Sequence, residues 1–174
     1  MRSSLLIVAL SLLILGCGEL WKLVPIEPGS KPVISDAFAP QKVKPGTGWK
    51  IFLKAEDKDG DMKDIVVSIS PASQSFLTYS FASIREEERG SLAGYLFIKT
   101  PPSPYLQNQI FHLAISIRDK TERKSDSLGF LLSFTSESDV ELPEKWRQAS
   151  ENRLAIIFPD YFNNYVRELE FPRE

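Results

Sequence analysis

The chain has 174 residues with 21 basic and 23 acidic side chains, so its formal net charge is −2. A nearly balanced charge, with neither sign gathered into a long block, does not provide the basic face that nucleic acids require. We therefore expect no nucleic-acid partner. The chain has 1 cysteine, which excludes an internal disulfide.

The amino-terminal segment predicts export. Arg2 gives a positive start, an apolar run follows over residues 5–15, and Gly16 is a small residue at the expected cleavage position. An apolar run of about eleven residues spans only about 16 Å as a helix, whereas the hydrocarbon core of a bilayer is about 30 Å thick. An uncut membrane helix is thereby disfavoured, and an ordinary signal peptide remains an alternative.

The end of this segment, Leu15-Gly16-Cys17, resembles the bacterial lipobox. The resemblance implies that Cys17 carries a diacylglycerol and an N-acyl chain, so that the lipid bilayer is a partner of the protein. It also implies a signal peptide at residues 1–16 and a lipidated tether at residues 17–31.

Gly18 follows the cysteine, where an aspartate tends to retain such lipoproteins on the inner membrane. The resemblance therefore favours the outer membrane, facing the periplasm, if the source has two membranes. The expected location is a lipid-anchored position in the bacterial cell envelope.

Residues 33–134 predict about seven short strands, because apolar and polar side chains alternate there with the period of strands that bury one face. Trp49, Ile51 and Leu53 fall on one face of such a strand, while Lys50 and Lys54 fall on the other. The expected strands cover residues 33–38, 49–55, 65–69, 76–83, 92–99, 111–118 and 128–134. The expected fold is mainly β, an immunoglobulin-like antiparallel β-sandwich over residues 32–136.

Three segments resemble the immunoglobulin-like, PKD-like and cadherin-like modules of bacterial envelope proteins. They are Val43-Lys44-Pro45-Gly46, Ala55-Glu56-Asp57-Lys58-Asp59-Gly60-Asp61 and Ser116-Ile117-Arg118-Asp119. Two further segments, Gly94-Tyr95-Leu96-Phe97-Ile98-Lys99-Thr100-Pro101 and Pro143-Glu144-Lys145-Trp146, together with these three resemble a group of small uncharacterised bacterial lipoproteins. The resemblance implies the architecture and says nothing about a mechanism.

The acidic loop, residues 57–64, is the clearest candidate for a functional site in the sequence. Asp57, Asp59, Asp61 and Asp64 supply carboxylates that could converge on a calcium ion, with Gly60 permitting a tight turn. The spacing is not that of an EF-hand. The alternative is a plain surface turn, in which the aspartates accept hydrogen bonds from nearby backbone amides.

Catalysis finds little support in the sequence. His112 is the only histidine in the sequence, and it alternates with apolar neighbours as an exposed strand residue would. The sequence contains no zinc-ligand spacing, no phosphate-binding glycine loop and no nucleophile elbow. We therefore expect that the protein is not an enzyme and that it uses no small-molecule cofactor.

A helical carboxy-terminal tail is expected over residues 137–174. Pro143 suits the first turn of a helix that would end near Ile157, and Asp160 can begin a second helix after Pro159. One face of that second helix is apolar. It comprises Tyr161, Phe162, Tyr165, Val166 and Leu169.

This apolar face either docks on the sandwich or binds a partner. Together these observations favour a non-catalytic envelope lipoprotein that recruits another envelope protein through a strand edge or the tail helix. The alternative is a calcium- or glycan-binding module centred on the acidic loop.

Overall fold

The computed structural model describes residues 29–73, 77–138 and 141–170. Cys17, Phe76 and residues 17–28 of the expected tether lie outside this part of the chain. Within it, the strands are β1 (Val33–Phe38), β2 (Lys42–Val43), β3 (Trp49–Glu56), β4 (Met62–Pro71), β5 (Thr78–Ser83), β6 (Ser91–Ile98), β7 (Ile110–Asp119), β8 (Leu128–Phe134) and β9 (Arg153–Ile157). The α-helix α1 (Asp160–Glu170) follows β9.

The strands form two sheets. A 4-stranded sheet has the order β1-β3-β6-β9, and a 5-stranded sheet has the order β2-β8-β7-β4-β5. The expectation of a mainly β protein built from two sheets with a carboxy-terminal helix is confirmed. The count of seven strands is too low, since β2 and β9 were not foreseen. The expected wholly antiparallel pairing is also corrected, because β2 pairs with β8 and β6 pairs with β9 in parallel.

The inner faces of the two sheets share one hydrophobic core. Trp49, Ile51 and Leu53 of β3 are almost fully buried, as their alternation predicted. Ile65, Val67 and Ile69 bury the same face of β4, which lies in the other sheet. At about 25 cal/mol per Å² of buried apolar surface, these facing rows are the main source of stability in a fold without disulfides.

The helix expected over residues 143–157 is wrong. This segment forms two short 3-10 helices, Glu144–Trp146 and Gln148–Glu151, followed by β9. Trp146 is fully buried and its ring lies 5.8 Å from that of Phe52, on the outer face of the four-stranded sheet. A continuous helix could not pair with β6, because strand pairing requires the extended backbone that β9 adopts.

The second expected helix is confirmed as α1. Its aromatic stripe packs into the main core, where the ring of Phe162 lies 5.7 Å from that of Phe134 in an edge-to-face arrangement. The hydroxyl of Tyr165 donates a hydrogen bond of 2.8 Å to the side-chain oxygen of Gln109. The tail is therefore part of the sandwich, contributing an edge strand and a packed helix.

The two outer faces of the sandwich differ. The 3-10 helices of the tail cover part of the outer face of the four-stranded sheet, where Phe52, Trp146 and Ala149 form a second small core. The outer face of the five-stranded sheet instead exposes large apolar side chains, and we call it the open face. Its exposed members are Leu77, Tyr79, Phe81, Ile110 and Leu131.

Candidate functional site

The acidic loop connects β3 to β4 at one end of the sandwich. Asp57 is buried, and its carboxylate accepts backbone N–H hydrogen bonds from Asp59 at 3.4 Å and from Asp61 at 3.0 Å. Gly60 adopts φ +67°, a left-handed conformation that glycine enters without strain. The loop is therefore a tight turn whose geometry is fixed by one buried carboxylate.

Three carboxylates converge in this turn. One oxygen from each of Asp57, Asp59 and Asp61 lies within 4.8 Å of the others, so these groups could hold a cation. The Oδ1 atom of Asp61 is buried without a hydrogen-bond partner. Oxygen ligands in a tight loop suit calcium, although calcium takes about six to eight of them.

Asp119, at the end of β7, supplies a further buried carboxylate beside this turn. Its side chain is 0% exposed, and it accepts hydrogen bonds of 2.8 Å from the Arg123 Nε atom and 2.9 Å from the Thr121 hydroxyl. Arg123 also reaches the Oδ2 atom of Asp59 at 3.4 Å. The guanidinium of Arg123 therefore already neutralises part of the negative charge at this end of the sandwich.

The pKa values of the half-buried Asp61 and the buried Asp119 move in opposite directions. Burial raises the pKa of Asp61, and a hydrogen bond with Asp57 and the charge of Asp119 raise it further. Burial alone would raise the pKa of Asp119, but hydrogen bonds from Thr121 and Arg123 outweigh burial and lower it. The protein therefore disfavours the ionised form of Asp61 and stabilises that of Asp119.

Asp64 does not join the other three aspartates. A register shift in β4 between Met62 and Asp64 separates it from the turn. Its Oδ2 atom lies 2.5 Å from a terminal nitrogen of Arg118 on β7, and its Oδ1 atom accepts a hydrogen bond of 3.3 Å from the Ser83 hydroxyl. Asp64 thus belongs to an ion pair that joins β4 to its neighbouring strands.

The apolar face of α1 is covered by the protein itself. Tyr161, Phe162, Tyr165 and Val166 are buried against the sandwich, and Leu169 is exposed. Burial also raises the pKa of Tyr161, with a smaller contribution from Tyr165. A partner could reach the four buried side chains only by displacing the helix from the core, so we do not propose this face as a binding surface.

The open face offers a more accessible surface than the tail. Tyr79 and Phe81 of β5 are 56% and 57% exposed, and both are uncovered on the same side of the strand. The guanidinium carbon of Arg118 lies 5.2 Å from the centre of the Phe81 ring. No motif in the sequence pointed to these residues, because their partners on the face come from strands that are distant along the chain.

The edge of β5 is also a candidate for pairing. β5 is the last strand of its sheet and pairs with β4. The Ile84 N–H donates a hydrogen bond of 2.8 Å to the Lys63 carbonyl, and hydrogen-bonded pairs alternate along an antiparallel ladder. The backbone N–H groups of Tyr79, Phe81 and Ser83 therefore point away from β4.

Natural edge strands are commonly blunted by charged residues, proline or bulges. β5 has the sequence Thr-Tyr-Ser-Phe-Ala-Ser, which contains no charged residue and no proline. Its pairing with β4 runs without a register shift from Thr78 to Ser83. This edge is therefore a regular and uncharged template for another strand.

The chain matches no protein-family model and no curated protein. Among solved structures, it is similar to a family 76 glycoside hydrolase from a bovine Bacteroides thetaiotaomicron strain, with 16% sequence identity and a TM-score of 0.37. The similarity covers 61% of this chain and 21% of that chain, so this chain spans about a fifth of the length of that structure.

This comparison corrects one expectation. The sequence led us to exclude an enzyme, whereas the protein in the similar structure is a glycoside hydrolase. The exclusion is withdrawn. A likeness at this TM-score assigns neither an activity nor a substrate to this chain, and we assign none.

In the described part of the chain, none of the helices has both the length and the apolar character needed to cross a bilayer.

Proposed function

We propose that the protein is a lipid-anchored envelope lipoprotein whose sandwich presents the edge of β5 to another envelope protein. The anchor is Cys17, and the support for it is the lipobox-like sequence that ends at this residue. Several acyl chains hold a protein on a bilayer almost permanently, because each buried methylene contributes about 0.8 kcal/mol. The expected surface is the outer membrane facing the periplasm if the source has two membranes.

An immunoglobulin-like topology for the sandwich is part of this proposal. In that fold, strands A, B, E and D form one sheet and strands C, F and G form the other. β1, β3 and β6 share one sheet here, while β4, β7 and β8 share the other, as A, B, E and C, F, G would. β5 extends the second sheet beside β4, and β9 takes the place of strand D, although it runs parallel to β6.

The single observation that carries the proposed interaction is the edge of β5. Its outward N–H groups can pair with an added strand, and its exposed aromatic side chains can enter pockets of a partner. Aromatic side chains dominate the energetics of many protein interfaces because each buries a large area. The tail helix, the other element considered from the sequence, has its apolar face inside the core.

The test is a pair of matched substitutions in cells that make the intact lipoprotein. Tyr79→Lys places a charge on the β5 edge, and Tyr105→Lys places the same charge on an aromatic position that is 48% exposed outside the strands. Chemical crosslinking in intact cells should give one dominant complex with the wild-type protein and with Tyr105→Lys. Loss of that complex only in Tyr79→Lys supports the proposal, and equal yields from the two variants contradict it.

The calcium hypothesis for the acidic loop stays a prediction. The unpartnered oxygen of Asp61 favours it, whereas the guanidinium of Arg123 already pairs with Asp59 and Asp119. A glycan-binding role for this loop, the other form of the alternative, likewise stays a prediction. Calcium-dependent stability distinguishes an ion site from a plain turn.

A further inference from the structure

The open face contains a groove built from the small side chains of its central strands. Ser68 and Ser70 of β4, Ala114 of β7 and Gly129 of β8 line it. The cavity has a volume of about 520 Å³, within the range of about 300–1,000 Å³ that is usual for ligand sites. We call it the outer groove.

Strand register explains how the groove forms. Tyr79, Ser68, Ala114 and Gly129 lie directly opposite one another across β5, β4, β7 and β8. Directly opposed residues in an antiparallel sheet share a face. Along this row the side chains become smaller, from the large exposed ring of Tyr79 to Gly129, which has no side chain. A Cβ atom placed on Gly129 would meet no heavy atom within 4 Å, so the space above it is open.

The next row places polar and apolar groups side by side. Ser70 lies opposite His112, which lies opposite Leu131. His112 is exposed, and Leu131 is 48% exposed. The amide side chain of Gln41 also lines the groove.

The charge of the groove restricts its ligand. Its described lining contains no lysine, arginine, aspartate or glutamate. An anionic or cationic ligand would lose hydration there without gaining an opposite charge. Hydroxyl, imidazole and amide groups would in turn remain unpaired beneath a purely apolar chain.

We propose that the outer groove binds a neutral glycan. A sugar ring presents hydroxyl groups at its edges and C–H groups on its faces, which match the polar groups and the apolar surfaces of this lining. Tyr79 stands at the β5 end of the row, where its ring can contact a sugar face and its hydroxyl can bond to water or ligand. This site differs from the acidic loop and goes beyond the protein partner proposed for the β5 edge.

Gly129 allows a direct test, because it can be replaced without touching the core. Its φ is not positive and the space around it is empty, so Gly129→Trp fills the groove on the outer side of β8. Gly90→Trp is the matched control, since Gly90 also has no positive φ and a Cβ there would first meet an atom at 3.9 Å. Three strand spacings, about 14 Å, separate Gly129 from Tyr79, so the first variant does not block the β5 edge.

The full-length protein would be run in native gels that contain laminarin, xylan, galactomannan, mannan or soluble starch, with polygalacturonate as the anionic polymer. We expect at least one neutral polymer to retard the wild-type protein and Gly90→Trp, and we expect Gly129→Trp to abolish the retardation with its melting temperature retained. His112→Ala should weaken binding by about 2- to 10-fold through the loss of one hydrogen bond, and it replaces Gly129→Trp as the test if that variant does not fold.

Retardation by none of the neutral polymers, or by polygalacturonate alone, overturns the proposal. Retardation that persists in a folded Gly129→Trp or remains unchanged in His112→Ala overturns it as well. Loss of the crosslinked protein complex in Gly129→Trp would assign the groove to a protein partner and would also overturn the glycan proposal. The gel-retardation outcomes do not depend on the crosslinking experiment with Tyr79→Lys.

Discussion

The ring of Phe162 in α1 lies 5.0 Å from the ring of Phe111 in β7, at an interplanar angle of 83°. Both side chains are almost fully buried. This edge-to-face contact joins the last helix to a central strand of the five-stranded sheet, so the stability of the sandwich depends on its own tail.

Phe162→Ala should therefore lower the free energy of unfolding by about 3–5 kcal/mol, the usual cost of removing a buried phenylalanine. Leu169→Ala is the control, since Leu169 lies on the same helix but is 38% exposed. Its effect should stay below about 1 kcal/mol, because little apolar surface is lost from the core. Urea unfolding measures both, and equal effects of the two substitutions would contradict the docking of α1.

Asp119 should contribute to stability at neutral pH and lose that contribution in acid. Hydrogen bonds from Thr121 and Arg123 lower its pKa in the folded state despite its burial. The unfolded chain, with a pKa of about 3.9, therefore takes up the proton first as the pH falls. The contribution is complete above about pH 4 and is lost as the pH falls through the lower folded value.

Asp119→Asn should cost about 1–3 kcal/mol at pH 7 and should flatten the loss of stability between about pH 4 and pH 2. Urea unfolding across this range measures the change. Other acids also contribute to the acid-induced loss of stability; the folded-state pKa of Glu88, for example, is lowered by its hydrogen bond with Arg85. The contribution of Asp119 is therefore the difference between the variant and the wild type. Parallel stability curves for the two proteins would show that Asp119 is not the group responsible.

Asp61 should behave in the opposite way. Burial and its hydrogen bond with Asp57 raise its pKa, so its ionised form opposes folding at neutral pH. This unfavourable contribution disappears as the pH falls from neutrality through the raised folded pKa, because the folded state takes up the proton first. Without calcium, Asp61→Asn should raise the melting temperature at pH 7.

If the acidic loop binds calcium, the ion should make the wild type more stable than Asp61→Asn, which is the reverse of the order expected without calcium. At a concentration about 100 times its Kd, an ion that binds only the folded state adds about 2.7 kcal/mol, or about 5–10 °C in melting temperature for a chain of this size. Asp59→Asn and Asp61→Asn should each abolish the calcium shift. Asp126→Asn should retain it, since Asp126 is 91% exposed and pairs with Lys31. An unchanged wild-type melting temperature in millimolar calcium would identify the loop as a turn only.

Cys17→Ser tests the anchor. The lipobox-like sequence leads us to expect that the wild-type protein sediments with membranes and that the variant is released into the soluble fraction, because the serine cannot receive the thioether-linked diacylglycerol. Membrane fractionation followed by mass spectrometry of the amino terminus measures both location and lipid. A processed Cys17→Ser protein that remains in the membrane fraction would contradict lipid anchoring.

Much of the strand pattern could be predicted from the sequence, because a strand that buries one face tends to alternate apolar and polar residues. β3 and β7 largely follow this rule, since Trp49 and Phe111 begin rows of buried residues at alternate positions, and the residues between them are polar except for Phe52 and Ala114. β9 escaped prediction because the five residues Arg-Leu-Ala-Ile-Ile do not alternate and follow a segment that could start a helix. β2, with two residues, is too short to leave a periodic signal.

The candidate surfaces were harder to predict because they depend on register between distant strands. Asp57, Asp59 and Asp61 are close in sequence, so their convergence could be foreseen, whereas the separation of Asp64 depends on an irregularity in β4. The outer groove brings Ser68 next to Ala114 and Ala114 next to Gly129. No single stretch of sequence contains that juxtaposition.

The central claim is that the edge of β5 contacts another envelope protein while the chain is membrane-anchored. Truncating the tail would not test it, because residues after Leu142 supply β9, α1 and the buried ring of Trp146. The most direct measurement is photo-crosslinking in intact cells from a benzophenone amino acid at position 79, with the same amino acid at position 105 as the control.

We predict one dominant protein adduct from position 79 and none of that species from position 105. The adduct should disappear when Phe81→Pro is added, because proline removes an outward N–H and leaves the β4 ladder intact. Identical adducts from both positions, or an adduct that survives Phe81→Pro in a folded protein, would contradict the claim.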